Sequence, residues 1–279
     1  MDIKTMIDAI PQELSDYSEA GDYMKDGRLY CGKCNTPKTD RMTWGPLEGR
    51  IVRHNCKCES EAYKAEQEAS ERQEYFNKIM RLRNSGFPDA EMSKITFQHD
   101  DKSNPKLSEI AHRYVDNFAE MKRQNKGLLL YGSVGTGKTF IAACIANALI
   151  EKGYPCLVTN FARIINGVAG TALTEKQEYF DNLNKYDLLV IDDLAAERNT
   201  EYVNEIVFNV IDARCRAGKP VIVTTNLTEY EMKHAADIRK QRIYSRLQEM
   251  CVPVYVAGRD KRIQMQKDTS ADARAMLGV

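Results

Sequence analysis

The chain has 279 residues, 43% of them hydrophobic and 29% charged, and its 40 basic and 40 acidic side chains cancel at pH 7. That length suffices for one large α/β domain or a smaller pair with a substantial core. The even charge excludes a protein that coats nucleic acid by bulk electrostatics, so any such contact has to come from a local patch.

The first stretch, with Ile3, Ile7, Ile10 and Leu14 on one helical face and a break at Pro11, reads as a short helical lead-in. Met1-Asp2-Ile3-Lys4-Thr5 lacks a basic stretch followed by an apolar core, and the longest apolar run, Ile141 to Ile150, is far too short to span a bilayer. The expectation is a soluble, cytoplasmic protein with no membrane partner. Eight Cys are unevenly used: Cys31, Cys34, Cys56 and Cys58 fall close together, whereas Cys144, Cys156, Cys215 and Cys251 are scattered through apolar segments. In a reducing compartment the scattered group reads as small core residues and the clustered group as metal ligands.

Tyr30-Cys31-Gly32-Lys33-Cys34 has the look of a zinc knuckle, since two thiolates in a tight turn grip one Zn²⁺ and the small Gly32 lets the backbone curl around it. Cys56-Lys57-Cys58 supplies the second pair after a ribbon-like insert containing Trp44 and Arg50-Ile51-Val52-Arg53. Four Cys ligands are the expected set, with His54 as a substitute ligand because the C-x-C spacing is tight. Such a site is structural, and a segment this small has little core without it.

Glu59 to Arg83, charged and free of Gly and Pro, reads as a solvated helix, ended by Asn84-Ser85-Gly86-Phe87-Pro88. A helix over Pro105 to Lys122 leads to the apolar run Leu128-Leu129-Leu130-Tyr131. Then comes Gly132-Ser133-Val134-Gly135-Thr136-Gly137-Lys138-Thr139, the P-loop pattern: backbone N–H groups wrap the phosphates of ATP, Lys138 reaches the β/γ-phosphates, and Thr139 helps hold Mg²⁺. An Ala-rich helix from Phe140 to Ile150 would point its N-terminus at those phosphates.

Strands are expected at Pro155 to Thr159, Leu188 to Ile191 and Val221 to Thr225, with helices over Phe161 to Asn184 and Tyr202 to Ala217. Continuous apolar strands between helices predict a parallel sheet covered on both faces. Asp192, ending the Leu188 strand, is placed to hold Mg²⁺. Asp193 is placed to orient the attacking water, its short arm predicting slow turnover or help from Glu197, and Asn226 is placed to position water beside the γ-phosphate. Arg242 and Arg246 are candidates for an arginine supplied in trans to the γ-phosphate.

Together these motifs resemble the AAA+ ATPases, and more narrowly the DnaC/DnaI-type replicative helicase loaders, bacterial or phage. The likeness rests on Ser85-Gly86-Phe87-Pro88, Leu130-Tyr131-Gly132, Asp187 to Leu194, Thr224-Thr225-Asn226-Leu227 and Arg242/Ser245-Arg246-Leu247. It implies an ASCE-type P-loop sheet sandwiched by helices, without a full C-terminal lid, behind a zinc-ribbon-like module. It favours Arg246 as the arginine finger, with Arg242 second. Gly258-Arg259-Asp260-Lys261-Arg262 is similar to the family's closing motif and nominates Arg262 for a sensor-2 role toward the nucleotide. The implied domains are a zinc-binding, helicase-gripping module over 1–60, a helical linker over 61–84, the ATPase domain over 85–267 and a flexible tail over 268–279. The implied activity is ATP hydrolysis, slow and stimulated by DNA or partner, in an oligomer that delivers the replicative helicase onto single-stranded DNA, with Phe161, Arg163 and Tyr202 as candidate DNA contacts. An IstB-type transposition helper, or a zinc-dependent adaptor using ATP as a structural switch, are the alternatives.

Overall fold

The computed structural model describes residues 18–46, 48–195, 200–258, 260 and 277. The lead-in residues Ile3, Ile7, Ile10 and Leu14, together with Glu197 and Arg262, lie outside them. The chain divides into two compact units, Met1–Phe76 and Asn77–Val279.

The first unit is built on two antiparallel hairpins. Strand β1 (Tyr23–Lys25) pairs with β2 (Arg28–Tyr30) through Asp26-Gly27, whose φ values of 50° and 73° are those of a two-residue turn matching strand twist. Strands β3 (Thr39–Arg41) and β4 (Ile51–Arg53) form the second, the expected ribbon, with Trp44 exposed between them. The unit's few buried side chains include Leu29, Cys31, Cys56 and, unusually, Lys38. Helix α1 (Lys57–Gly86) follows and is almost wholly exposed, as its composition predicts. It continues through Asn84 and Ser85, where a break was expected, because neither residue bars helical dihedrals. It stops where Pro88 disfavours helix at Phe87.

The second unit is the expected three-layer α/β fold. Helix α2 (Pro105–Asp116) starts with Pro105 at its first position and the Asn104 side chain accepting from Leu107 N–H at 3.2 Å. The single helix expected to Lys122 is in fact two. Asn117 ends α2, its Nδ2 donating to Arg113 O at 2.8 Å, and α3 (Phe118–Arg123) begins anew. Strand β5 (Gly127–Tyr131), helix α4 (Lys138–Glu151), β6 (Cys156–Asn160), helices α5 (Phe161–Val168) and α6 (Leu173–Leu183), β7 (Leu188–Leu194), α7 (Glu201–Arg216), β8 (Val221–Thr225), the short α8 (Glu229–Lys233), α9 (Ile238–Met250) and β9 (Cys251–Tyr255) complete the unit. The α5/α6 break falls at Gly170, whose φ of 73° suits glycine, so one predicted helix becomes two.

The strands run parallel in the order β6-β7-β8-β5-β9. One apolar layer gathers Leu107, Tyr114, Phe118, Ile145 and Leu149 on one face of the sheet; the other gathers Phe161, Ile164, Val207, Ile211 and Leu247. Arg214, fully buried at the end of α7, donates to the carbonyls of Leu183, Tyr186, Asp187 and Pro220 and so ties the α6–β7 and α7–β8 connections together. Burial pushes its pKa down to about 10, leaving it protonated at neutral pH. Among the described residues no helix is long and apolar enough to cross a membrane.

Candidate functional site

The turn from β5 into α4 is the P-loop. Gly132, Gly135 and Gly137 hold φ of 140°, 75° and 93°, a path that L side chains resist, and a Cβ at Gly132 would come within 2.6 Å of Val256 O. Lys138 is buried, its Nζ donating to Gly132 O at 2.8 Å and Ser133 O at 2.7 Å, and Thr136 Oγ1 donates to Ser133 O at 2.9 Å. Residues Val134 to Phe140 of the loop, with Ile95, His99 and Asp101 and with Asp193 and Asn226, line a cavity of about 460 Å³.

Asp192 and Thr139, the two residues expected to share Mg²⁺, meet directly: Thr139 Oγ1 donates to Asp192 Oδ1 at 2.8 Å. A hydroxyl and a carboxylate oxygen at that spacing, below a phosphate-binding loop, form a hard-oxygen pair of the kind that takes one or two places around an otherwise hydrated Mg²⁺. A third residue, which sequence reasoning passed over, joins them. Thr224 Oγ1 donates to Asp192 Oδ1 at 2.6 Å and accepts from Asp193 N–H at 2.9 Å. The signal for it is the Thr224-Thr225-Asn226 run at the strand end, in which alternation turns Thr224 toward Asp192 once β7 lies alongside.

Asp193 owes its direction to a β-bulge. The β7/β8 register shifts between Ile191 and Leu194, and Asp193 sits at φ 56°, where Asp and Asn are tolerated better than Glu. Asn226 is exposed just beyond β8 and shares the cavity with Asp193. Asp260 was also unforeseen. Its carboxylate lies against the backbone of Gly135, a position a Cβ there would occupy.

Arg242 and Arg246 line a separate cavity of about 370 Å³ with Phe208 and Ser245, sharing no residue with the P-loop cavity. Arg246 Nε lies 3.1 Å from Asp212 Oδ1 and its Nη1 2.8 Å from Glu249 Oε2, while the Arg242 guanidinium stacks 4.5 Å from the Phe208 ring centroid. Of the three candidate DNA contacts, Phe161 is overturned: it is 1% exposed and belongs to the apolar core, because the first residue after β6 turns inward at the start of α5. Arg163 is exposed, and Tyr202 is partly exposed with its hydroxyl donating to Val168 O at 3.4 Å.

In the first unit the sulfurs of Cys31, Cys34, Cys56 and Cys58 all lie within 4.8 Å of one another, with Cys56 and Cys58 Sγ 3.2 Å apart and Cys31 and Cys58 Sγ 3.5 Å apart. A tetrahedral Zn²⁺ with bonds of about 2.3 Å needs sulfurs at close to this spacing, so the donor set fits. His54 is not part of it; its Nε2 faces Asp40 Oδ2 at 3.2 Å. Backbone N–H groups of Cys34 and Lys33 hold the Cys31 thiol below its usual range, and the Thr36 hydroxyl brings Cys34 down to about 5, both favouring the thiolate that a metal requires. Burial pushes Cys56 up. Gly32 is needed for a reason other than curling: a Cβ there would strike the Gly21 carbonyl.

Lys38, also unforeseen, braces this module. Its fully buried side chain meets Asp22 at 2.9 Å and Glu19 and Glu59 at 3.1 Å each. Burial alone would lower its pKa, but the three carboxylates overcome that and hold it above its ordinary value.

A family model for IstB-like ATP binding proteins matches residues 63–269, most of the chain. The chain belongs to this family. The replicative helicase loader DnaI of Bacillus subtilis is 29% identical over 182 residues, covering 60% of this chain and 58% of that protein. The replicative helicase loader DnaC of Escherichia coli K12 is 29% identical over 125 residues, covering 44% and 50%. The chain thus spans about half to three-fifths of these relatives' lengths. A crystal structure of DnaI superposes with a TM-score of 0.52 at 23% identity, covering 62% of this chain and 96% of that one, and a DNA replication initiation factor with 0.50 at 19%, covering 64% and 55%. The family member described here therefore has the AAA+ type of α/β fold expected from its motifs.

Proposed function

We propose that this family member is a cytoplasmic ATPase that assembles into an oligomer and loads the replicative DNA helicase onto single-stranded DNA. The observation that carries the reading is the convergence of Thr139, Asp192 and Thr224 beneath a P-loop whose lysine is already buried in the site. Mg²⁺, when bound between Thr139 and Asp192, would neutralise charge developing on the β/γ-phosphate oxygens. Loop N–H groups from Val134 to Thr139 would hold the phosphates, with Lys138 moving its hydrogen bonds from the Gly132 and Ser133 carbonyls to phosphate oxygen. Asp193 and Asn226, sharing the cavity, would orient the water in line with the γ-phosphate. Arg246, or Arg242 after it, would complete a neighbouring subunit's site, and Arg262 would approach the nucleotide from the closing motif.

Helicase loading is supported by the names of the curated relatives, which also weigh against transposition help. Residues 1–60 would hold Zn²⁺ on the four Cys as a closed structural site and grip the helicase, 61–84 would link, and 85–267 would form the motor. The deciding measurement is ATP turnover with and without the replicative helicase and single-stranded DNA. Stimulation of about tenfold or more by both together is expected, since a finger arginine and an ordered site are worth far more than that in related chemistry. Turnover indifferent to both would sink the loading reading.

A further inference from the structure

The cavity beside the P-loop has a wall that the phosphates do not explain. The loop from Gly135 to Thr139 takes phosphate, and Asp193 and Asn226 stand at the reacting end, so Ile95, His99 and Asp101 are left to face the nucleoside. That wall is irregular backbone, two single 3₁₀ turns, Met92–Lys94 and Phe97–His99, joined by Ile95 and Thr96. Such a segment needs an external support to hold a shape.

The support is one amide on the P-loop's own helix. Asn147, on α4 and 1% exposed, donates from Nδ2 to Ile95 O at 2.7 Å, to Met92 O at 3.2 Å and to Ala143 O of its own helix at 3.2 Å. Its Oδ1 is buried without a hydrogen-bond partner. Only the bond to Ala143 O lies within α4, so stability of that helix does not account for the two that reach Met92 and Ile95. What the amide does that a leucine could not is fix two carbonyls of the 92–95 turn to the helix that begins at Lys138. From there the order propagates: Thr96 N–H donates to His99 Nδ1 at 3.3 Å, closing the second turn, and Phe97 stacks on His112 at 4.1 Å.

We infer that Asn147 is the positioning residue for the nucleoside end of the site, hanging the Ile95–His99 wall from the same helix that carries the phosphate loop. The inference rests on the nucleotide-binding reading above. The two walls then keep a fixed separation, and the site measures a nucleoside triphosphate rather than a bare polyphosphate.

The test compares Mg·ATP with Mg·tripolyphosphate, measured by calorimetry on the full chain. Asn147→Leu is expected to weaken ATP about tenfold, near 1.4 kcal/mol, while tripolyphosphate stays within about twofold. Cys144→Ala, which trims the same buried helix without touching either carbonyl, is expected to change neither. Equal weakening of both ligands by Asn147→Leu, or of neither, overturns the inference. Should that variant fold poorly, hydrogen exchange on the wild-type chain decides: amides of residues 95–99 should gain protection with ATP and not with tripolyphosphate, and the same protection with both overturns the inference too. Wild-type protein that binds neither ligand refutes the nucleotide reading itself, a distinct outcome.

Discussion

Asp193 occupies a left-handed backbone position at a bulge, and this conformation explains why the second acidic residue of the strand end is Asp. A Glu there would reach further but would lack the short side chain that eases φ near 56°. Asp193→Glu is therefore expected to lower stability by about 1 kcal/mol in denaturant melts. Asp193→Asn keeps the shape and the bulge. It is expected to bind ATP as the wild type does and to hydrolyse it about a hundredfold more slowly, as loss of a positioned base or water-orienting group does. Thr224 stands one step back from the proposed Mg²⁺ ligand Asp192. By donating to the Asp192 carboxylate and accepting from the Asp193 backbone N–H it fixes that carboxylate and the bulge beside it, so Thr224→Val should raise the Mg²⁺ concentration for half-maximal turnover about tenfold, the usual loss when a group holding a metal ligand is removed. An unchanged Mg²⁺ titration would count against that role. The motif residues were legible in the sequence because their spacing is dictated by phosphate geometry. Thr224 was not, because the strand's two-residue alternation places it only once the neighbouring strand is known.

At the scale of elements, what the sequence conveyed depended on how local the cause was. The P-loop strand and helix, and β6, β7 and β8, follow from continuous apolar runs. Strand β9 did not, since Pro253 interrupts its pattern; on the edge of a sheet a missing N–H is tolerated, and edge position is a property of the whole sheet. The Cys-rich module was legible through its clustered thiols, but its brace was not, because Lys38 draws carboxylates from Glu19, Asp22 and Glu59, each far from it along the chain. The brace gives a pH signature. The hydrogen bond from Lys38 holds Asp22 down to about 2 from an ordinary 3.8. Glu59, though burial pushes it up, is brought from 4.5 to about 2 by the Cys56 N–H, Lys38 and Arg53. Carboxyl groups with depressed pKa contribute stability that is present in full above their ordinary values and is lost as pH falls through the folded ones. Lys38→Met should therefore destabilise the module above pH 4.5, and the gap to wild type should close as pH falls from there toward 2. A gap that does not depend on pH would mean that Lys38 acts by packing alone. Removal of the proposed Zn²⁺ acts on the same module: a chelator strong enough to strip it is expected to abolish the protected amides of β2, β3 and β4, because so few of the module's side chains are buried.

At the scale of the whole molecule, the separation of Arg242 and Arg246 from the P-loop cavity carries the assembly argument. An arginine that stabilises transition-state charge must reach the γ-phosphate, yet both line a different cavity of their own chain. Arg246 is meanwhile held by Asp212 and Glu249, two carboxylates that keep its guanidinium satisfied until a better anion arrives. Arg242 lies over the Phe208 ring, a contact whose loss would also disturb packing. Arg246 is therefore the arginine expected to act across a subunit boundary, and a mixing experiment isolates that role. Lys138→Ala removes a chain's own phosphate site but leaves its Arg246 available; Arg246→Ala does the reverse. Each variant alone should hydrolyse ATP at least a hundredfold more slowly than wild type, given what an arginine finger contributes. Mixed in equal amounts they should recover a substantial fraction of activity, because some interfaces then pair an intact loop with an intact arginine. Recovery must rise with total protein concentration, as a shared site requires. If the mixture stays as inactive as its components while Arg242→Ala in place of Arg246→Ala restores it, the finger is Arg242; if neither mixture recovers, each chain hydrolyses ATP with its own residues and the shared-site reading fails.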